Sequence, residues 1–298
     1  MTQTAVAVAA TPNRSDAMLT ALTLSPQAVP DTFAAAHQRI PSGRAYGGEI
    51  LAHAVAAVEA TTGPEWQIHS LHGYFLRGAD VEKQSRYSVE RIRDGRSFAV
   101  RTVTGEQDQQ ETFRATASSR RATPPNGPRN DSQCPELPAP ESLPTSAEAV
   151  AGTAVRDTEY WARERNFDVR HVQQPVYVTA GAERNPAQVV WARAFSELPD
   201  DPAIHRQAIA YICDYTLLEP ALRVRGAAWA DQGLMTASID HAMWFHAHGR
   251  ADEWIALVQE APHLDDELVT TRTMLYSRDR RLLATVAQQG LVRLPVAS

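Results

Sequence analysis

The chain carries the same order of elements twice, and this repeat limits its possible folds more than any single motif does. In the first part, "GGEILAHAVAAVEAT" opens on Gly47-Gly48 and then sets Ile50, Leu51, Ala54, Val55 and Val58 on one helical face. Four runs with strand-like alternation follow, "EWQIHSLHGYFLR", "KQSRYSVERIRDG", "SFAVRTVTGEQD" and "ETFRATASS", separated by short polar or glycine-bearing turns. In the second part, "VYVTA" and "AQVVWARAFSEL" read as early strands and Asp201 to Leu222 as one long helix. "LMTASIDHAMWFHA", "DEWIALVQEA", "LVTTRTMLYSRD" and "RLLATVAQQGLVRL" then supply a second set of strands. The halves also rhyme locally: His72-Gly73-Tyr74-Phe75 against His241-Ala242-Met243-Trp244, and Arg101-Thr102 against Arg272-Thr273, at nearly the same shift. Short strands also resemble one another by chance, so the repeat stands as an expectation: an α+β fold of two helix-plus-antiparallel-sheet units whose sheets pair side by side.

A proline-rich stretch with hardly a bulky apolar side chain, "RRATPPNGPRNDSQCPELPAPESLPTS", separates the two parts and is expected to run as an extended linker. The expected division is a disordered leader over 1–18, a first unit over 19–119, the linker over 120–150 and a second unit over 151–298. The leader has no basic n-region and no run approaches the length of a membrane span, so neither a signal peptide nor a spanning helix is expected. A formal net charge of -6 gives no global field toward nucleic acid or anionic membrane, and nucleic acid is not expected as a partner. Cys134 and Cys213, the two cysteines, form no CxxC pair and suit free thiols in a reducing cytoplasm.

Several chemistries fall away on motif grounds. "GRSFA" at Gly95 to Ala99 lacks the closing glycine of a serine-hydrolase elbow, and GxGxxG, the P-loop and HExxH are absent. "DHAMWFHAH" gathers His241, His246 and His248, with the last two expected on one strand face, but a strand pair without third and fourth ligands makes a poor metal site and no metal is expected. Asp214 is harder to set aside. At helical spacing it falls among Ala210, Tyr211, Leu217, Leu218 and Ala221, and a carboxylate on an apolar face costs several kcal/mol unless donors meet it. A structural partner and a catalytic role both answer that need. Ser238, ahead of "IDHAMWF", and Gln288, after "LLATVA" and sharing a face with Leu282, Ala284 and Val286, are the polar groups on strands of otherwise large residues.

The segments "YGGEILAHAV", "HSLHGYFLRGAD", "RIRDGRSFAVRTV", "CDYTLLEPAL", "SIDHAMWFH" and "YSRDRRLLATVAQQGLVR" resemble the acyl-CoA thioesterase II family, in order and across both halves from about Leu22 to the C-terminus. That resemblance implies a double hotdog, each half an antiparallel sheet wrapped around a central helix. It also implies hydrolysis of acyl-CoA, the expected substrate partner, to a free fatty acid and coenzyme A without metal, cofactor or covalent intermediate. An aspartate, a hydroxyl residue and a glutamine orient water in the family, and by motif these are Asp214, Ser238 and Gln288. Ser238 stands where the family pattern has threonine, keeping the same donor and acceptor, and Glu49 stands where it has glutamine. Desolvation should raise the Asp214 pKa while donors from Ser238 and Gln288 lower it, leaving the net sign open.

The first half offers Ser118 at the place of Gln288, and His53 and Glu59 rather than an aspartate on its helix, so it reads as a catalytically silent copy. Tyr74 and Phe75 are candidate tunnel wall or plain core, and arginines at 77, 93, 96, 101, 272, 278, 280 and 281 are candidate phosphate contacts or solvated edge charges. Two rivals stay open: a hydratase or dehydratase of enoyl thioesters using His241 and Asp240, and an acyl-CoA-binding protein without turnover. A homo-oligomer is compatible with exposed sheet edges.

Overall fold

The computed structural model describes residues 14–122, 133–155 and 157–295. Helix α1 (Arg14–Leu22), strands β1 (Ser25–Pro26) and β2 (Thr32–Ala35), helix α2 (Gly47–Thr62), and strands β3 (Trp66–Phe75), β4 (Ser85–Asp94), β5 (Phe98–Gln107) and β6 (Gln110–Arg121) make the first half. The second contains α3 (Ser146–Ala149), β7 (Phe167–His171), β8 (Ala187–Ala194), α4 (Pro202–Ile212), α5 (Glu219–Arg225), β9 (Met235–Ser238), β10 (Asp240–Phe245), β11 (Ile255–Leu264), β12 (Leu268–Ser277) and β13 (Leu282–Arg293). One continuous sheet runs β1-β2-β4-β5-β6-β3-β10-β13-β12-β11-β8-β7, with β9 added on β13. Among the described residues no helix is long and apolar enough to cross a membrane.

The two meanders meet at an antiparallel seam where residues 70–74 of β3 pair with 240–244 of β10. Across the first half, Leu71 pairs with Ala117 and Ala117 with Arg101; across the second, Ala242 pairs with Ala287 and Ala287 with Arg272. The repeat is therefore real as an arrangement, and Ser118 does stand at the place of Gln288. The His72–His241 rhyme is two places out of this register, because the ladders match Leu71 to Ala242 and so His72 to Met243.

Helix α2 is buried on every side from Gly48 to Val58, as a helix that is apolar all round must be. It packs on β3 to β6 and against α4, while α5 lies on β8, β11 and β12. Small alanines let α4 approach closely, and each buried Leu51 or Val55 contributes about 1.5–3 kcal/mol. The Glu49, His53 and Glu59 side chains that α2 carries into this layer are matched. Glu49 accepts from the Gln38 N–H at 3.0 Å and lies 2.8 Å from His37 Nδ1, His53 Nε2 is 2.7 Å from Ala21 O, and Glu59 accepts from Arg206 Nε at 2.6 Å across the helix pair.

Several expectations are corrected. The helix from Asp201 to Leu222 is two helices: α4 starts on the Asp201 cap with Pro202 in its first turn and ends at Ile212, and α5 begins at Glu219. Pro220 has no N–H for the carbonyl of Thr216 and its ring would strike it, so the chain turns, and Thr216 O accepts from Glu219 N at 3.0 Å. "VYVTA" is no strand: Val176 and Tyr177 are buried, but their carbonyls accept from the N–H groups of Trp229 and Ala230. "LMTASIDHAMWFHA" is broken at Ile239 into β9 and β10, and His246 and His248 lie beyond the end of β10 rather than on one strand face. Residues 1–13 of the expected leader lie outside the described residues, whereas 14–18 already belong to α1, whose Met18 is buried. Residues 123–132 of the expected linker likewise lie outside them. From 133 onward it is not a free tether, because Cys134, Leu137 and Leu143 pack on Trp191, Trp254 and Tyr276, and Trp191 Nε1 donates to Pro138 O at 3.1 Å.

Candidate active site

Asp214 lies in the turn between the end of α4 and the start of α5, outside both helices, and its side chain meets β9 and β13. Ser238 closes β9, and Gln288 lies on β13 two residues before Gly290, which pairs with Ser238. The three side chains, far apart in sequence, meet at one oxygen. Ser238 Oγ donates to Asp214 Oδ1 at 3.1 Å, Gln288 Nε2 donates to the same oxygen at 3.0 Å, and Gln288 Nε2 also lies 2.9 Å from Ser238 Oγ.

The start of α2 completes the enclosure. Tyr46 precedes the helix without a side-chain cap; the Glu49 and Ile50 N–H groups bond the Tyr46 carbonyl, and the Gly48 N–H bonds Asp214. A Cβ on Gly47 would fall 2.4 Å from Asp214 Oδ2 and 3.3 Å from the Phe75 ring, and one on Gly48 only 2.1 Å from the Tyr211 backbone oxygen. Glycine is required at both by close approach. Gly48→Ala is expected to force α2 off α4 and lower the melting temperature, since a backbone oxygen cannot swing aside. Differential scanning calorimetry reads this, and an unchanged melting temperature would contradict the packing.

The electrostatics settle the open sign. Burial pushes the Asp214 carboxyl up, Gln288, Ser238 and the Gly48 amide pull it back, and the balance leaves it at about 6. Burial holds the neighbouring Tyr46 hydroxyl and Cys213 thiol protonated far above their ordinary range. His241, not grouped with these residues by the sequence reading, belongs to their surroundings: its Nδ1 lies 2.7 Å from Gln288 Oε1. The signal for it was its position on a strand face shared with Met243 and Phe245, which marks a buried histidine.

Other candidates lie elsewhere. Asp240 and His241 point to opposite faces, Asp240 Oδ1 accepting from the Gln289 N–H at 2.7 Å, so the acid–base pair that a hydratase would use is not assembled. The described residues contain no cluster of histidine, cysteine or carboxylate side chains fit to hold a metal ion. Glu49 faces His37 and Gln38 rather than the site. Tyr74 points to solvent, while Phe75 is half-buried beside Gly47. Arg101 is fully buried and bonded to Asp94 at 2.5 Å, which removes it from phosphate binding, and Arg272 and Arg278 are paired with Glu260 and Glu141.

Two repeated helix-and-sheet units joined at one seam, with a carboxylate held beneath a helix start, define a double hotdog protein. A protein from Alicyclobacillus acidocaldarius described as having the hot dog fold superposes with a TM-score of 0.74 at 19% identity, covering 94% of this chain and 99% of its own, which supports the fold alone. Family models for the acyl-CoA thioesterase N-terminal and C-terminal domains match residues 36–120 and 131–292. Human acyl-coenzyme A thioesterase 8 is 31% identical over 292 residues, covering 94% of this chain and 90% of that protein. The acyl-CoA thioesterase II TesB2 of Mycobacterium marinum is 33% identical with a TM-score of 0.75, covering 93% of this chain and 98% of its own. The chain belongs to the acyl-CoA thioesterase II family.

Proposed function

We propose that the protein hydrolyses acyl-CoA thioesters to a free fatty acid and coenzyme A, with Asp214 taking a proton from a water held by Ser238 and Gln288. The observation that carries this reading is the meeting of those three side chains at Asp214 Oδ1, on a carboxyl raised to about 6. Such a group is largely ionised near neutrality yet basic enough to accept a proton. A thioester carbonyl is already electrophilic, so a positioned water suffices where an amide would need a stronger nucleophile. The water oxygen adds to the carbonyl carbon as its proton passes to Asp214. The oxyanion faces the positive end of α2 at Gly47, and collapse breaks the C–S bond, with the proton on Asp214 available to the departing thiolate.

In this reading residues 19–119 are the silent unit and 151–298 the unit that carries the reacting groups. Ser118 at the counterpart of Gln288 supports the silence of the first half, since it has no aspartate beside it on α2. The proposal is tested by following free thiol release from saturated acyl-CoAs of increasing chain length. Turnover of a saturated chain supports hydrolysis, whereas hydration of an enoyl thioester with no thiol release, or tight binding without turnover, would overturn it. Gly47→Ala is expected to lower kcat more than it lowers the melting temperature, because its Cβ would fall 2.4 Å from Asp214 Oδ2 and 3.3 Å from the Phe75 ring, both side-chain atoms, and displace the carboxylate.

A further inference from the structure

His241 is a buried titratable ring against the site to which the reaction scheme assigns no part. Its Nδ1 lies 2.7 Å from Gln288 Oε1, and its Nε2 has no hydrogen-bond partner. Burial, the largest influence, pushes the ring down to about 4, so it is neutral near pH 7 and carries one N–H. That hydrogen belongs on Nδ1, because on Nε2 it would be buried unpaired and would leave the Nδ1 lone pair facing the Gln288 oxygen.

A carboxamide has two ends of equal size, and only its surroundings decide which faces where. At Gln288 the amide nitrogen must face Asp214 and Ser238 to donate to them. Reversed, the carboxamide would set its oxygen against the carboxylate. The packing of β13 does not distinguish the two orientations, but a ring N–H directed at the far end does. We propose that His241 is a positioning residue which, through its Nδ1–H, locks the Gln288 carboxamide with its nitrogen toward Asp214 and Ser238. This rests on the reading of those three residues as the water-activating group.

The consequence reaches the acidity of Asp214, since the Gln288 donor is the largest influence holding that carboxyl down. The groups facing Asp214 are Tyr46 at the start of α2, Cys213 on its own turn, Ser238 on β9 and Gln288 on β13, with His72 of β3 acting on the His241 ring. Tyr46 and Cys213 stay protonated through the working range, so the acidic limb of the rate profile reports Asp214.

The test measures kcat, KM and the pH profile for acyl-CoA hydrolysis in His241→Phe and His241→Asn, the latter keeping an N–H near the place of Nδ1. His241→Phe is expected to lower kcat about 10- to 100-fold with KM within about 3-fold, and to move the acidic limb upward. His241→Asn is expected to recover most of the loss and to leave the limb in place. In a Gln288→Ala background, His241→Phe should add less than about 2-fold, because nothing remains to orient. If His241→Phe does not fold, His241→Gln, whose amide falls at the place of Nε2, takes its part with the same expected losses. Wild-type kcat in His241→Phe, equal losses in the Asn and Phe variants, or full additivity with Gln288→Ala would overturn the inference. Asp214→Asn in the same assay separates the two levels: if it is inactive while His241→Phe is unimpaired, only the role of His241 fails. If Asp214→Asn is active, the site reading fails with it.

Discussion

Asp214→Asn should keep its fold and release free thiol from acyl-CoA about 10²- to 10⁴-fold more slowly, the usual worth of a positioned general base. The amide keeps an oxygen that can accept from Ser238 and Gln288, which lie 3.1 and 3.0 Å from Oδ1, so the geometry survives while the basicity is lost. Stability supplies a second readout with a definite sign. The carboxyl titrates near 3.8 when unfolded and at about 6 when folded, so the folded state binds the proton more tightly. Its stabilising contribution is present below the unfolded value and is lost as pH rises through the folded one, amounting to up to about 3 kcal/mol from the gap between those two values. The stability of Asp214→Asn relative to wild type should therefore shift in favour of the variant between those two pH values and stay level above them. Chemical denaturation at each pH measures this, and a parallel pH dependence in the two proteins would contradict it.

Glu219→Ala is expected to cost about 3–5 kcal/mol, because it leaves buried donors without their acceptor at about 1–3 kcal/mol each. Glu219 is fully buried, with His171 Nε2 at 2.7 Å, Gln188 Nε2 at 2.9 Å and Trp229 Nε1 at 3.1 Å; burial pushes its carboxyl up, while His171, Gln188 and the Arg165 charge hold it below the ordinary value. The network continues through Gln188 and Gln259 to Thr216, whose hydroxyl donates to Gln259 Oε1 at 2.9 Å, two residues from Asp214. The same contacts thus anchor α5 and the turn that presents the carboxylate. A fall in melting temperature of roughly 10 °C is the corresponding expectation, from about 2–4 °C per kcal/mol for a chain this long. Glu219→Gln, which keeps an acceptor, should lose less. Equal, small losses in both would show that the network does not bear on stability.

Asp214 was legible in the sequence for a reason that survived an error. Apolar spacing reported that its neighbours are buried, and they are, although the single helix assumed for them is interrupted at the turn before Pro220. Periodicity records burial, not which backbone groups pair. The same limit explains "VYVTA", where buried Val176 and Tyr177 mimic a strand while their carbonyls serve Trp229 and Ala230. Besides the short strands β1 and β2, the strand that was missed is Phe167–His171, which carries Asp168, Arg170 and His171, a charged pattern typical of loops; on the sheet edge Arg170 donates to Asp168 at 3.0 Å. Arg101 was hidden likewise: sequence alone does not show that α2 covers its strand face, where Asp94 and the Thr61 carbonyl meet it. From the residues alone Ser238 and Gln288 show only as polar breaks in strands, and the family resemblance is what groups them with Asp214. Their convergence on one oxygen depends on the β9–β13 register, which short-range pattern does not encode.

The most direct test of the central claim is the pH dependence of kcat at saturating acyl-CoA, from about pH 4.5 to about pH 8.5. With Asp214 as the base, kcat should be level at the alkaline end and fall about tenfold per unit of pH below its pKa of about 6, where the carboxyl takes up a proton. A rate that stays level across the whole range would contradict the account, because no ionisation of Asp214 would then be felt in the chemical step.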